Sequence, residues 1–251
     1  MRIYLTWLLS LCIISGPYGY AEWEPDYLIS SGLISGEHRQ DLENKSFQRL
    51  KSFILKYSKD GWCSSEKANL LMDLIVLQRP MICVEIGVYE GFTLIPIAAA
   101  LKHLHHGGTI YAIDPWSNNE AIRWMTKDSA DRAWWGSVDL ERVYRSFLDK
   151  LGDIIGDSYC KVVRQTSESA AAGIGSIDFL HLDGNLGAEG AIIDAALYLP
   201  KVKKGGYILV SNILHTIGEQ QPRLEAFSRA LDDCEIICGV DSSNSVLLRK
   251  L

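Results

Sequence analysis

Long apolar runs, internal repeats, low-complexity stretches and an excess of basic charge are all missing from this chain of 251 residues. Its most apolar stretch, Ile3 to Ile14, is too short for a bilayer, which takes roughly 20 residues, so no stable membrane span is expected. Lys and Arg together number 25 against 31 Asp and Glu, and the formal net charge of −6 argues against a general affinity for nucleic acid backbone. Cysteine is scarce. Those after Cys12 (Cys63, Cys83, Cys160, Cys234 and Cys238) are odd in number and lack metal-ligand spacing, so neither a disulfide framework nor a zinc site is expected. Cys83 and Cys160 lie in or beside apolar strands, where a thiol behaves as a small hydrophobe. What is present, 47% hydrophobic residues, suffices to bury one α/β core.

The chain is organised around Met81 to Thr93, MICVEIGVYEGFT. Met81 to Ile86 is a bounded apolar run, the pattern of a strand covered on both faces. Glu85 sits near its carboxyl end, and Gly87 and Gly91 flank a turn that lets a ligand approach bare backbone. A helix should start near Thr93, a plausible N-cap, with Pro96 in the tolerated first turn. Strand, glycine loop and helix start make a nucleotide-type site. The dinucleotide fingerprint needs a second glycine where Tyr89 stands, which disfavours a nicotinamide oxidoreductase, and Glu85 and Glu90 add negative charge unsuited to phosphates. A ligand with an ammonium and a sulfonium, such as S-adenosylmethionine (SAM), suits this loop better. The pattern E-x-G-x-x-x-G after an apolar strand resembles motif I of class I SAM-dependent methyltransferases.

Upstream, Met1 to Ala21 has the layout of a secretory signal: a charged start, a short apolar core and small residues before Glu22. It predicts export, periplasmic or secreted, and without it the protein would be cytoplasmic. SAM is made in the cytosol, so the two readings pull apart. Residues 22–80 read as a helical cap, with Leu42, Phe47, Leu50, Phe53, Ile54 and Tyr57 near helical spacing and a second helix at about Ser65 to Gln78 before Pro80. Residues 81–251 form the remaining domain. Strands are expected at Thr109 to Ile113, Cys160 to Val163, Ile177 to Leu182, Tyr207 to Ile213, Glu235 to Val240 and Ser245 to Leu248. Helices are expected at Ser137 to Leu151, stopped by Gly152, at Glu168 to Ala172, Ala188 to Leu199 and Pro222 to Asp232. His103, His105 and His106 crowd a helix end, where interaction with its carbonyls explains them more simply than a metal.

The wording AIDPWS, WWGSVDLERVYRSFL and HLDGN is similar to a bacterial subgroup of these enzymes, methyltransferase family 24, over roughly Ile82 to Ile213. The resemblance implies a Rossmann-like, doubly wound sheet of seven strands, mostly parallel with an antiparallel last strand. It implies a cofactor site of Glu85, Gly87, Tyr89, Gly91, Asp114, Trp116 and Ser167, in which Asp114 accepts both ribose hydroxyls. Trp116 stacks on adenine or lines the substrate mouth, or is a buried aromatic under the inserted helix. Ser167 lies near the adenine, or caps the next helix. Asp183 falls beside the methyl group, and His181 is either a general base or a core histidine.

The chain also departs from its relatives. Metal-assisted members place one acid at the position of Asp183 and an Asp-Asp or Asp-Asn pair after the later strand, where this chain has Ser211-Asn212. Asp183 and Asn212 remain as an incomplete metal set, and a divalent metal is not expected, because hard cations prefer several oxygens with carboxylates among them. Leu186 follows Asn185 where the subgroup has histidine. The function expected is therefore methyl transfer from SAM to a small-molecule or sugar acceptor, as an O-methylation. The alternatives are a catalytically degenerate SAM-binding or exported module and a nicotinamide-dependent oxidoreductase, and no feature marks an oligomeric state.

Mass spectrometry of the natively produced protein is expected to find Glu22 at the N-terminus, as the signal layout requires. Recovery of Met1 in the cytosolic fraction would count against export.

Overall fold

A computed structural model describes residues 23–58, 61–156, 158–217, 221–241 and 244–251, so the signal-like segment 1–21 lies outside the described residues. Among the described residues three α-helices precede the first strand: α1 (Pro25–Ser30), α2 (Lys45–Ser58) and α3 (Ser65–Gln78). Ser64 caps α3 by accepting from the Lys67 backbone N–H, and the helix ends on Arg79, left-handed at φ 48, just before Pro80.

The strands are β1 (Ile82–Ile86), β2 (Thr109–Ile113), β3 (Cys160–Val163), β4 (Ile177–Leu182), β5 (Val202–Val210), β6 (Cys234–Val240) and β7 (Ser245–Lys250). They form one sheet of seven strands in the order β3-β2-β1-β4-β5-β7-β6. Only β7 runs antiparallel to its neighbours. The helices after β1 are α4 (Leu94–Leu104), α5 (Asn118–Ala121), α6 (Ala130–Ser137), α7 (Leu140–Ile154), α8 (Ser167–Ala170), α9 (Ala188–Tyr198) and α10 (Pro222–Ala230). The strand order reverses between β1 and β4, which opens a crevice at their carboxyl ends.

Several expected boundaries move. The helix expected from Ser137 starts instead at Leu140, because Asp139 takes over as a cap, accepting from the Arg142 N–H at 3.0 Å, and α7 runs through Gly152 to Ile154, while Ser137 ends the separate helix α6. Strand β5 starts at Val202 and absorbs the expected glycine turn as an irregularity against β4. It ends at Val210, so Ser211 and Asn212 are already loop.

Alternation along β1 divides the core. Cys83 joins one cluster with α3, α4 and α7, while Val84 and Ile86 join another with α9 and α10. Trp23, Leu28, Phe47 and Ile54 of the N-terminal helices belong to the first cluster, continuous with Ile97 and Leu101 of α4. Cys63, Cys83, Cys160, Cys234 and Cys238 are free and buried, and burial pushes the Cys63 and Cys160 thiols up to about 12, so both pack as protonated small side chains. Among the described residues no helix is long and apolar enough to cross a membrane.

Candidate functional site

The loop after β1 is shaped by two glycines with different tasks. Gly87 has φ +83, and a Cβ there would lie 2.3 Å from the Asp183 carbonyl oxygen, so only bare backbone lets the ends of β1 and β4 meet. Gly91 has φ +80, and a Cβ would come within 2.7 Å of the Phe147 ring, so it serves the packing of α7. Above this loop, at the carboxyl ends of the central strands, lies a cleft of about 440 Å³. Of the residues expected in the site, Gly87, Tyr89, Asp114, Ser167, Asp183 and Asn212 line it. Glu85, Gly91, Trp116 and His181 do not line it.

Asp114 ends β2 and holds the glycine loop. Its Oδ2 accepts the N–H groups of Val88 (2.9 Å) and Tyr89 (3.0 Å), and its Oδ1 accepts that of Trp116 (2.7 Å). Burial pushes its pKa up, and these three backbone bonds partly offset the rise. A carboxylate offers about four acceptor positions, so roughly one remains on Oδ1 for a ligand hydroxyl rather than the two expected.

Trp116 is a correction. It is left-handed at φ 43 and buried, its ring stacks on Phe147 (5.4 Å, 18°), and its Nε1 donates to the Tyr89 carbonyl at 2.9 Å. It braces the loop from below, beneath the inserted helix.

Glu85 and His181 are corrections of one kind. Both are fully buried, and the β1–β4 register pairs them. Alternation sends them to the helix-covered face shared by Cys83 and Phe179, not up into the cleft. Glu85 Oε1 accepts from the Thr93 hydroxyl at 2.6 Å, which also explains why Thr93 makes no capping bond to α4. Glu85 Oε2 lies 3.4 Å from His181 Nδ1, and His181 Nε2 shares a hydrogen bond with Ser211 Oγ at 2.8 Å. With no path to a reacting proton, His181 is a core histidine. Thr166, not Ser167, caps α8, accepting from the Ser169 N–H. Ser167 instead donates to the buried Asp194, whose Oδ2 accepts the backbone N–H and the side-chain amide of Asn185, both at 3.2 Å.

Asp183 lines the far end of the cleft. Its Oδ1 accepts from Asn212 Nδ2 at 2.7 Å and from Arg223 Nη1 at 2.9 Å. Burial works against the charge of nearby Lys67, but the carboxylates of Asp183 and Asp241 outweigh it and hold that lysine above its ordinary pKa. His215 also lines the cleft, its Nε2 3.5 Å from Asp131 Oδ1. The aromatic rim joins Trp62, stacked on Tyr89 (4.7 Å, 12°), to Trp134 and Trp135. Sequence reasoning gave no role to Arg223, His215, Asp131 or Asp194. Each has a partner at least 27 residues away along the chain, a distance at which local patterns carry no signal. The histidine trio does not converge: His105 Nδ1 meets the Tyr159 hydroxyl and His106 Nε2 the Pro80 carbonyl, each at 3.0 Å, while His103 packs on Phe47. Among the described residues no group of three or more His, Cys, Asp or Glu could hold a metal ion.

Residues 84–213, just over half of the chain, match a family described as a methyltransferase domain, methyltransferase family 24. The chain belongs to this family. This methyltransferase shares its class I, Rossmann-like fold with solved O-methyltransferases. NovP is 20% identical over 74% of this chain and 80% of its own, with a TM-score of 0.55. TomG from Streptomyces achromogenes, involved in tomaymycin synthesis and solved in complex with SAM, is 14% identical over 90% and 95%, with a TM-score of 0.54. The SAH-bound methyltransferase PaMTH1 from Podospora anserina is 12% identical over 86% and 97%, with a TM-score of 0.51. No curated protein matches the chain in sequence.

Burial pushes the Asp194 carboxyl above its ordinary pKa despite the bonds from Ser167 and Asn185. A carboxyl that binds its proton more tightly in the folded state lowers stability as pH rises from about 3.9 through the folded pKa. In Asp194→Asn the new amide can donate to the Ser167 hydroxyl, and the charge is gone. Urea midpoints measured between about pH 4 and 6 are expected to fall less steeply in this variant than in the parent. Parallel slopes would disprove the assignment.

Proposed function

We propose that this methyltransferase moves a methyl group from SAM to an oxygen of a small-molecule or sugar acceptor. The observation that carries the reading is that one cleft is lined both by Asp114, with an acceptor position left over, and by Asp183 at the adjoining strand end. The cleft fits the cofactor in chemistry as well as size. It offers an acid for a ribose hydroxyl, bare backbone at Gly87 and aromatic walls, and among the described residues no lysine lines it as a phosphate cradle would need. The O-methyltransferase titles of NovP and TomG, and the SAM bound to TomG, support the same direction.

When bound, SAM supplies an electrophilic methyl group. The chain supplies placement, which is most of what an in-line displacement asks of a protein. It also supplies a base for an acceptor that carries a proton. We assign that role to His215, the histidine that lines the cleft among the described residues, whose Nε2 faces the Asp131 carboxylate at 3.5 Å without a hydrogen bond.

Calorimetry of the purified protein is expected to show SAM binding and no tight NAD binding; the reverse would sink the proposal. Asp114→Ala is expected to weaken SAM binding by on the order of 1.5–3 kcal/mol, as for a hydrogen bond to a charged group, with any excess reflecting the loop N–H groups it releases. Once an acceptor is in hand, His215→Asn should lower kcat by about 10²–10⁴-fold while SAM affinity stays unchanged. Equal kcat in variant and parent would remove His215 from the chemistry, and SAM binding without turnover on any acceptor would favour a non-catalytic module.

A further inference from the structure

Arg223 stands near the start of α10, directly after Pro222, and is buried. Its guanidinium collects oxygens from two strand ends. Nε donates to the Asn185 carbonyl at 2.8 Å, Nη2 to the Gly184 carbonyl at 2.7 Å, and Nη1 to Asp183 Oδ1 at 2.9 Å. Nη1 also lies 3.3 Å from the Ser211 carbonyl and 3.5 Å from that of Leu182. Several carbonyl oxygens and one carboxylate converging on a point make the donor set a hard divalent cation selects. Here a permanently charged side chain satisfies it.

The residues left for a metal do not fit one. Asp183 Oδ1 already accepts from both Arg223 and Asn212, and Asn212 presents its amide nitrogen to that oxygen. The Ser211 hydroxyl is turned into the core, toward His181 and Ser245. The resemblance to metal-assisted enzymes implies an acid where this chain has Ser211; that acid is missing here, and a guanidinium lies within reach of Asp183.

We propose that the Arg223 guanidinium takes the place of a divalent cation in this cleft, neutralising Asp183 and holding the loop from Leu182 to Asn185 against the end of β5. Arg223 is then a positioning residue, and the site works without a metal. The inference concerns the same cleft as the function proposed above but does not depend on its methyl donor.

The test uses the full chain and Mn²⁺, read by electron paramagnetic resonance and by the shift in melting temperature, with no SAM or acceptor present. The parent is expected to show no saturable Mn²⁺ binding. Arg223→Met, which keeps bulk and removes the charge, is expected to bind Mn²⁺ at least about tenfold more tightly and to be stabilised by it. Arg223→Lys should behave like the parent. Lys67→Met is the control, because it removes a positive charge near Asp183 whose ammonium sits on Asp241 at 3.0 Å. It should gain nothing. Saturable Mn²⁺ binding by the parent that is lost in Asp183→Asn would overturn the proposal. So would a folded Arg223→Met that ignores Mn²⁺, or an equal gain in Lys67→Met. If Arg223→Met folds only when refolded with Mn²⁺, the proposal stands, and if Mn²⁺ does not rescue it, the proposal falls. Failure to bind SAM would leave all these readings intact and would count only against the proposed function.

Discussion

The ends of β1 and β4 meet backbone to backbone at Gly87 and Asp183, and the site depends on that approach. The two strands are neighbours in the sheet but far apart in sequence, and the strand order reverses between them. Gly87 leaves 2.3 Å between a hypothetical Cβ and the Asp183 carbonyl, so any side chain there would force the strand ends apart. Because they stay together, the acid closing β2 and the acid closing β4 line one cleft. Asp114 then fixes the loop from above through three backbone bonds, and Trp116 braces it from below through the Tyr89 carbonyl.

Under the cleft floor, polar groups run across the sheet from Thr93 through Glu85, His181 and Ser211 to Ser245. Glu85, His181, Ser211 and Ser245 are fully buried. A net hydrogen bond contributes only about 0.5–1.5 kcal/mol, whereas a buried group left alone costs about 1–3 kcal/mol, and more when charged. The weight therefore lies on the groups that are left without a partner rather than on any one bond, and Glu85 Oε2 and His181 Nδ1 are two such atoms. They face each other at 3.4 Å without a hydrogen bond between them, so the chain of bonds is interrupted there. Thr93 shows what the chain asks of its surroundings, since its hydroxyl serves Glu85 and leaves α4 without a side-chain cap.

Element positions were legible in the sequence because they rest on local physics. The bounds of α3, β2, β3 and β4 follow from caps, prolines and bounded apolar runs. Side-chain direction was less so. In a sheet covered on both faces, alternation says that Glu85 and Cys83 share a face, but both faces are apolar and nothing local marks which one borders the cleft. The same ambiguity made His181 look like a site residue, while Trp116, in the loop after β2, could be placed under the loop rather than in the cleft only by its ring contacts. The glycine loop and Asp114 were readable because they lie within one strand-loop-helix-strand unit. Arg223 was not, since its partners lie 12 to 41 residues away and its meaning appears only when they converge.

That contrast has a physical root in how the two halves of the cleft are built. The half around Asp114 is made of backbone N–H groups and glycines, which a short motif must encode. The half around Asp183 is made of side chains from β4, the loop after β5, α6 and α10, which any sequence can supply if the fold brings them together. The same cleft carries an aromatic rim in which Trp62, Tyr89, Trp134 and Trp135 join three chain segments through their rings. Apolar rings above a charged floor lower the local dielectric, and both the attraction between Asp183 and Arg223 and the cost of leaving either alone grow as it falls. An acid in such a place must keep a cation, and the carbonyls gathered around Arg223 favour a cation that the chain itself carries over one drawn from solution.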